Sequence, residues 1–568
     1  MDSIWEDEAL SAWVRRLFWF LGLTLGLMAT IASRFSMNAD GISYLDLGRA
    51  YLNRDWNAAI NGYWSPLYAV LLGAAIRLGH VSLYWESTVV HAVNFVIFVV
   101  SMAAFEIFLR ELCRSHRTRV FEDKSAQPVP VWAMQAFGYS LFLYAGLLWI
   151  SVWVVTPDQC VAVVMILVAA LLLRIQRGDA GWSSYAILGI LLGVGYLTKS
   201  ALFPLGLVSA AATPFLATRD SLGTRLRRSL LTACLFAVVA SPLAIVLSQA
   251  KGRFTLGDAG PLNYAWYLKE PTLLAYKSGD GNFDTLKHPL RRLLDSPTVY
   301  EFATPIGGTY PPWYDTSYWS DGTKIHFNFN GQLRVLKDSA RVYAACALGQ
   351  RGFLIALVAL FAAASGSYSF WRCLASVWPV WASSVAGLVM YALVHVETRL
   401  VASFLVIVGL NLLGAIRLIP SETMRRVVIG LTLPVAALSL LGAANIAAQN
   451  LYSSTFKPRH MQWEIAQVLA QRGIRPGDGV ATIIDHREGD YWARLARVKI
   501  IEEIPLEEMQ KLVSLDAGSH ARLVRALQGP GAKAIVTAPA PPEGTGFRWD
   551  RLGNTEYFIS SLTQEGRN

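Results

Sequence analysis

The chain has 568 residues, of which 54% are hydrophobic and only 16% charged, and its mean hydropathy is +0.38. So apolar a chain of this length does not stay in water, and the composition predicts a polytopic α-helical membrane protein. The net charge of +10 lies in short Lys and Arg clusters between apolar runs, which reads as a topology signal and not as a nucleic-acid surface.

Arg15-Arg16 precede a full-length apolar segment with no small-residue cleavage site, so the first span is expected to stay in the mature protein. Eleven spans are predicted: 14–33, 84–109, 131–152, 159–175, 183–198, 201–217, 229–249, 346–364, 373–394, 400–418 and 427–447. With the N-terminus in the cytoplasm, Arg15-Arg16, the run from Arg110 to Arg119, Arg174 with Arg177, the run from Arg219 to Arg228, Arg372, Arg417 and Arg425-Arg426 all fall inside. Counting 67–79 as a further span would reverse every later helix and expel most of these clusters.

The first outer loop, 34–83, carries Asp40 within a few residues of a membrane face, where a carboxylate is costly unless it is used. Tyr44, Leu45, Leu47, Tyr51 and Leu52 recur at helical spacing opposite Asp46, Arg49 and Asn53, which predicts an amphipathic helix lying along the interface. Ser65-Pro66 opens a second short apolar piece with Arg77, read as another interfacial helix. The second span carries His91 and Asn94, expected to bond between helices.

A long outer loop, 250–345, includes LNYAWYL and the aromatic run IGGTYPPWYDTSYWSDG at 306–322. Rings with a polar edge suit either a headgroup anchor or a sugar and lipid platform, and Tyr310 and Trp313 are candidate substrate-positioning residues within it. The transmembrane part is expected over 1–450. The tail, 451–568, changes character: helices at 459–472, 489–496 and 506–528 alternate with strands at 480–484, 497–501, 532–538 and 556–562, predicting a small α/β domain. GIRPGDG at 473–479 lacks the spacing of a phosphate loop. Cys113, Cys160, Cys234, Cys346 and Cys373 show no paired spacing, and the histidines show no metal-ligand spacing, so no metal site is predicted.

The predicted topology gathers Asp40, Asp158, Lys199, His395, Glu397 and Arg399 at the outer ends of helices. A lone Asp there is usually a cap and a lone Lys usually snorkels. Two carboxylates, a Lys and a His-x-Glu-x-Arg cluster at one membrane face are hard to explain as independent caps.

The pattern D-x-x-x-Y-L-x-L-G-x-A-Y-L from Asp40, then Tyr63-Trp64-Ser65-Pro66, resembles the type-C membrane glycosyltransferases, in the branch of protein O-mannosyltransferases and the lipid A aminoarabinose transferase. Thr156-Pro157-Asp158, GVGYLTKS at 193–200 and Glu397-x-Arg399 resemble further signatures in the same order. Two departures stand out: Gly41 replaces the second carboxylate of the mannosyltransferases, and Leu400 a usual Tyr. The resemblance implies transfer of a sugar from a polyprenyl-phosphate donor to a glycan, lipid or protein acceptor on the outer face of a bacterial inner membrane. In that reading Asp40 is the general base and displacement inverts the anomeric carbon; Asp158 is a second catalytic carboxylate or a positioning group. Lys199 and Arg399 bind the donor phosphate, and Tyr44, His395, Glu397, Tyr310 and Trp313 position substrate. Family members differ in needing a divalent cation, which leaves that cofactor open. The alternative class is a secondary transporter or flippase, against which stand the folded tail and the absence of inverted repeats. A non-catalytic scaffold leaves the polar cluster idle.

A reporter active only outside the cytoplasm is expected to be active when fused after Asn450 and silent when fused at Ser115. The opposite signals would sink the eleven-span topology and the grouping of polar residues that follows from it.

Overall fold

The computed structural model describes residues 7–117, 126–217, 220–269, 286–303, 305–364, 366–456, 460–486 and 489–562. Part of two predicted basic runs, within 118–125 and 218–219, lies outside them, as do 270–285 of the long loop and residue 459 at the start of a predicted tail helix. The protein is a multi-pass helical membrane protein with a small sheet-containing domain at one end.

The helices that matter here are α1 Glu8–Ser33, α2 Ala39–Leu52, α3 Pro66–Leu78, α4 Glu86–Arg117, α5 Val131–Tyr144, α6 Asp158–Arg177, α7 Trp182–Thr198, α8 Leu202–Ala212, α9 Leu222–Lys251, α10 Ala259–Lys269, α11 Phe329–Gly349, α12 Arg351–Ala362, α13 Ser367–Ser376, α14 Trp378–Val394, α15 Thr398–Ala415 and α16 Glu422–Phe456. Seven of the described helical stretches are long and apolar enough to span a bilayer: α1, α4, α5 with its π-turn extension, α6, α9, α15 and α16. Two predicted spans are corrected. The segment 346–364 breaks at Gln350, where α11 and α12 meet at 77°, and 373–394 breaks at Val377, where α13 and α14 meet at 83°. Pro379 in the first turn of α14 has no N–H to continue an incoming helix, so α14 starts afresh. Because α11 begins at Phe329, the outer loop is helical well before its predicted end. The remaining two predicted spans are the short α7 and α8.

The first-loop helix exists, but its environment differs from the prediction. In α2 the run Gly41–Leu45 is buried, as are Leu47, Gly48 and Ala50. Gly48 lies so close to α3 that a Cβ there would sit 2.3 Å from the Ala69 carbonyl oxygen. On its polar side Asp46 meets protein, while Arg49 and Asn53 stay exposed. Asp46 accepts from the Thr309 backbone N–H at 2.7 Å and pairs with Arg494.

Arg494 belongs to the tail, which contains α17 Met461–Gln471, α18 Tyr491–Ala496 and α19 Ala517–Gln528. It also grips Glu86 of α4 through both carboxylate oxygens, each at 2.8 Å, and is itself buried. Such a bidentate pair fixes orientation as well as position, so the tail domain is anchored on α2 and α4. Its strands are β3 Gly479–Ile483, β4 Lys499–Glu503, β5 Ala532–Thr537, β6 Asp550–Arg551 and β7 Phe558–Ser561, joined by a hairpin from the long loop, β1 Arg291–Asp295 and β2 Thr298–Glu301. The sheet order is β1-β2-β4-β3-β5-β7-β6, with β3 parallel to both β4 and β5 and the other pairings antiparallel. The predicted helix 506–528 is divided, because Asp516 accepts from the Ser519 N–H at 2.7 Å and caps a new helix after a 3₁₀ stretch, Leu506–Ser514.

Where the borrowed hairpin meets the tail, Glu301 on β2 pairs across from Glu502 on β4. Glu502 is fully buried, and neither carboxylate oxygen has a hydrogen-bond partner among the described residues. Burial, reinforced by the neighbouring Glu301 charge, pushes its carboxyl up to about 9. The folded form therefore binds a proton that the unfolded chain releases above its ordinary value of 4.5, so this group's contribution to stability is present below 4.5 and is lost as pH rises towards 9. Thermal unfolding of the full chain in mild detergent should show stability falling across that window, and Glu502→Gln should flatten the slope. An identical pH dependence in the variant would mean that Glu502 is ionised in the fold.

Candidate active site

Four helix ends and one loop turn build a single polar cluster. Asp40 lies in the first turn of α2, Asp158 opens α6, Lys199 ends α7, and His395 and Glu397 form the link between α14 and α15, with Arg399 in the first turn of α15. Arg399 is the hub. Its Nε donates to Glu397 Oε2 at 2.6 Å, and its Nη1 reaches Asp158 Oδ2 at 3.3 Å and Asp40 Oδ2 at 3.4 Å. Lys199 Nζ donates to Asp158 Oδ1 at 2.8 Å, and His395 Nε2 meets Glu397 Oε1 at 3.2 Å. All six residues singled out by topology are thus brought together.

Local structure explains how Asp40 is aimed. Asn38, just before α2, does not cap the helix; its Oδ1 accepts from the Val155 N–H at 2.9 Å, tying the start of α2 to the irregular segment that leads into Asp158. That segment follows a π-helical turn, Ala145–Ile150, and a left-handed Ser151; Gln159 Nε2 takes the Gly146 carbonyl at 2.8 Å. His91 and Asn94 of α4 hold the same segment through Val152 and Val154 carbonyls, the interhelical role expected of them. A Cβ on Gly41 would lie 2.8 Å from Val155 Cβ and 2.6 Å from Met37 Sδ. The second carboxylate of the mannosyltransferase pattern therefore has no room here.

Exposure separates the roles of the two aspartates. The Asp158 side chain is 2% exposed and both its oxygens are held by cations, whereas Asp40 is 19% exposed and lines the cavity. Asp158 is thus enclosed by its two cations and is not among the residues that line the cavity. Trp313 Nε1 donates to Asp40 Oδ1 at 3.2 Å, which places one of the expected aromatics beside this carboxylate. Burial pushes the Asp40 carboxyl above its ordinary value, and the Arg399 charge offsets this only in part. Burial also works to raise Glu397, but the His395 hydrogen bond and Arg399 prevail and bring it to about 2. Tyr44 is buried against Trp64 and Tyr68 and is not among the residues that line the cavity.

Three hollows meet here. The main cavity, about 1120 Å³, has Asp40, Lys199, Glu397 and Arg399 at one end, rings of Tyr63, Trp64, Tyr267 and Trp313 along it, and Tyr310, His486 and Glu503 of the sheet domain region at the other. A second, about 540 Å³, shares Asn38, Asp40, Glu397 and Arg399 and is otherwise walled by residues such as Trp149, Trp153 and Val342. A third, about 710 Å³, is an apolar groove along α14 that shares Met390 and Val394 with the main cavity. The Tyr267 ring, from the run LNYAWYL, stacks on His395 at 3.9 Å, whereas Asn38 and His486 with Glu503 were not singled out from the sequence. Only His486 left a trace, four residues before Asp490. Among the described residues no group of three or more His, Cys, Asp or Glu side chains is arranged to hold a metal ion.

No protein-family model and no curated protein matches this sequence. Among solved structures, ArnT from Cupriavidus metallidurans matches over 98% of this chain and 98% of its own in the apo state, at 12% identity and a TM-score of 0.51. The same protein bound to undecaprenyl phosphate matches over 98% and 100%, at 13% identity and a TM-score of 0.53. The chain has the type-C glycosyltransferase fold. The Archaeoglobus fulgidus oligosaccharyltransferase in its apo form is more distant, at 12% identity over 91% of this chain and 69% of its own, with a TM-score of 0.44.

Removing the hub should be costly, since Arg399→Ala leaves three carboxylates with Lys199 as their nearest cation. A loss of about 3–5 kcal/mol is expected, the range for breaking a buried ion pair. Arg399→Lys should recover less than half, because a compact ammonium lacks the separated Nε and Nη donors that reach Glu397 on one side and both aspartates on the other. Denaturant midpoints in mild detergent measure both, and an unchanged midpoint in Arg399→Ala would reduce the cluster to a surface-type pairing.

Proposed function

We propose that the protein is a membrane glycosyltransferase that moves a sugar from a polyprenyl-phosphate donor to an acceptor hydroxyl, at the extracytoplasmic face of a bacterial inner membrane. The observation that carries this reading is the juxtaposition of a cavity-facing carboxylate, Asp40, with the Arg399 guanidinium and, one carboxylate further, Lys199, where a large cavity joins an apolar groove. A base beside cations, next to a groove, is what transfer from a phosphate-linked isoprenoid requires. The shared fold with ArnT, one structure of which holds undecaprenyl phosphate, supports the same reading.

In the proposed step the acceptor oxygen attacks the anomeric carbon while Asp40 takes its proton. The bond from that carbon to the phosphate oxygen breaks, and the electron pair leaves with the polyprenyl phosphate towards Arg399 and Lys199. Asp158 keeps both cations in place. The Arg399 contacts to Asp40 and Asp158 are longer than that to Glu397, so an incoming phosphate competes most readily for Nη1 and in doing so releases Asp40 as a base. With Asp40 as the reacting carboxylate and Glu397, the other cavity-facing one of the cluster, held by Arg399 and His395, direct displacement inverts the anomeric carbon. The apolar groove along α14 takes the start of the isoprenoid chain.

Asp40→Asn keeps size and hydrogen bonding to Trp313 but cannot accept a proton, and should lose transfer by about 100-fold or more. In the parent, the base must be ionised, so the acid limb of the pH–rate profile should lie above the ordinary value of 3.8 and rise through the raised Asp40 value. Single-turnover transfer from a labelled polyprenyl-phosphate sugar decides the matter; near-normal rates in Asp40→Asn would remove the base assignment.

A further inference from the structure

The end of the cavity away from Arg399 has a constructed polar wall of its own. Tyr310 donates its hydroxyl to Glu503 Oε2 at 2.7 Å and stacks on the His486 ring at 4.0 Å and 4°. His486 Nε2 lies 3.3 Å from the same Glu503 oxygen, and its Nδ1 lies 2.9 Å from Asp490. Tyr310, His486, Asp490 and Glu503 are each less than 9% exposed. The donor chemistry uses none of them. They nevertheless share the cavity with Asp40, and the Pro311–Tyr314 helical turn joins the two ends, since Trp313 N–H donates to the Tyr310 carbonyl at 3.2 Å while the Trp313 ring reaches Asp40.

Among the described residues the charge of this end is negative. Asp485, Glu503, Glu507 and Glu508 line it with Arg292 and His486, while Arg292 is drawn to Asp295 at 3.2 Å and Lys511 pairs with Glu508 at 2.7 Å, so four carboxylates share two permanent cations there. A phosphorylated or carboxylated acceptor would meet several carboxylates at short range in a partly dehydrated space, which opposes binding. Carboxylates accept hydroxyl hydrogens, and stacked rings offer flat apolar faces, which together suit a sugar.

Resting on the transferase reading above, we infer that the Tyr310–His486–Glu503 end of the cavity is the acceptor subsite and takes an uncharged, hydroxyl-rich glycan in preference to a phosphorylated acceptor. Glu503 and the Tyr310–His486 stack hold the terminal sugar so that one hydroxyl lies towards Asp40.

The test uses the full chain in lipid nanodiscs with a labelled polyprenyl-phosphate sugar and two acceptor probes: a pool of neutral oligosaccharides, and the same pool phosphorylated at primary hydroxyls. The neutral pool should be glycosylated faster by about tenfold or more, and Glu503→Gln and Tyr310→Phe should each raise its KM by about tenfold with kcat far less affected, consistent with loss of one hydrogen bond to a charged group. Undecaprenyl phosphate binding reports whether these buried variants are folded. Glu507→Gln, on the outer 3₁₀ turn, gives an independent reading and should narrow the preference for the neutral pool. Equal or faster use of the phosphorylated pool, donor hydrolysis with neither pool glycosylated, or a fall in kcat with KM unchanged overturns the acceptor assignment. No donor consumption under any condition overturns the transferase reading instead.

Discussion

One guanidinium organises the polar end of this membrane protein. Arg399 lies between Asp40, Asp158 and Glu397, and Lys199 supports it through Asp158. A charge removed from water is tolerable only when its partners are fixed, and fixing them constrains the starts of α2, α6 and α15 and the end of α7 at once. The supporting contacts serve that constraint. Asn38 and Val155 lock the approach to Asp40 against the approach to Asp158, and Gly41 lets the two come close.

The cluster is uneven by construction. Asp158 is sealed and saturated by cations, while Glu397, at 40% exposure, and Asp40 remain open to the cavity. Three carboxylates surround two permanent cations, so one carboxylate is always the least well served. Its longer contact to Arg399 and its raised carboxyl identify Asp40 as that one. A base that is poorly served in the resting site and becomes free when an anion occupies the cation is suited to proton removal.

A second guanidinium, Arg494, sets the roof. By holding Glu86 on both oxygens and reaching Asp46, it seats the tail domain on the Asp46 position of α2 and on the start of α4. The long loop takes part as well, contributing β1 and β2 to the tail's sheet and the Tyr310–Trp313 turn to the cavity wall. The cavity is therefore closed by two segments far apart in the chain, and both ends of the proposed reaction path depend on how they pack together.

The sequence by itself determined the helical membrane class, most helix positions, the alternating tail and the six polar residues that meet at one face. These rest on local signals: apolar run length, the distribution of Lys and Arg between runs, and charged residues where a span begins or ends. It also carried the candidate base and its cations through motif order. Only the tertiary structure decided what these groups do to one another. Asp158 read as a reactant or a positioning group, and the structure encloses it between Lys199 and Arg399; Tyr44 read as a substrate-positioning residue, and the structure buries it against Trp64 and Tyr68. The amphipathic pattern of α2 was real, and Arg49 and Asn53 do face outward, yet Asp46 on the same side is claimed by Arg494, some 450 residues later in the chain. The bends at Gln350 and Val377, the borrowed hairpin and the Tyr310–His486–Glu503 wall likewise come from long-range packing. Periodicity and spacing record a residue's own segment, and nothing in them records which distant segment will cover it.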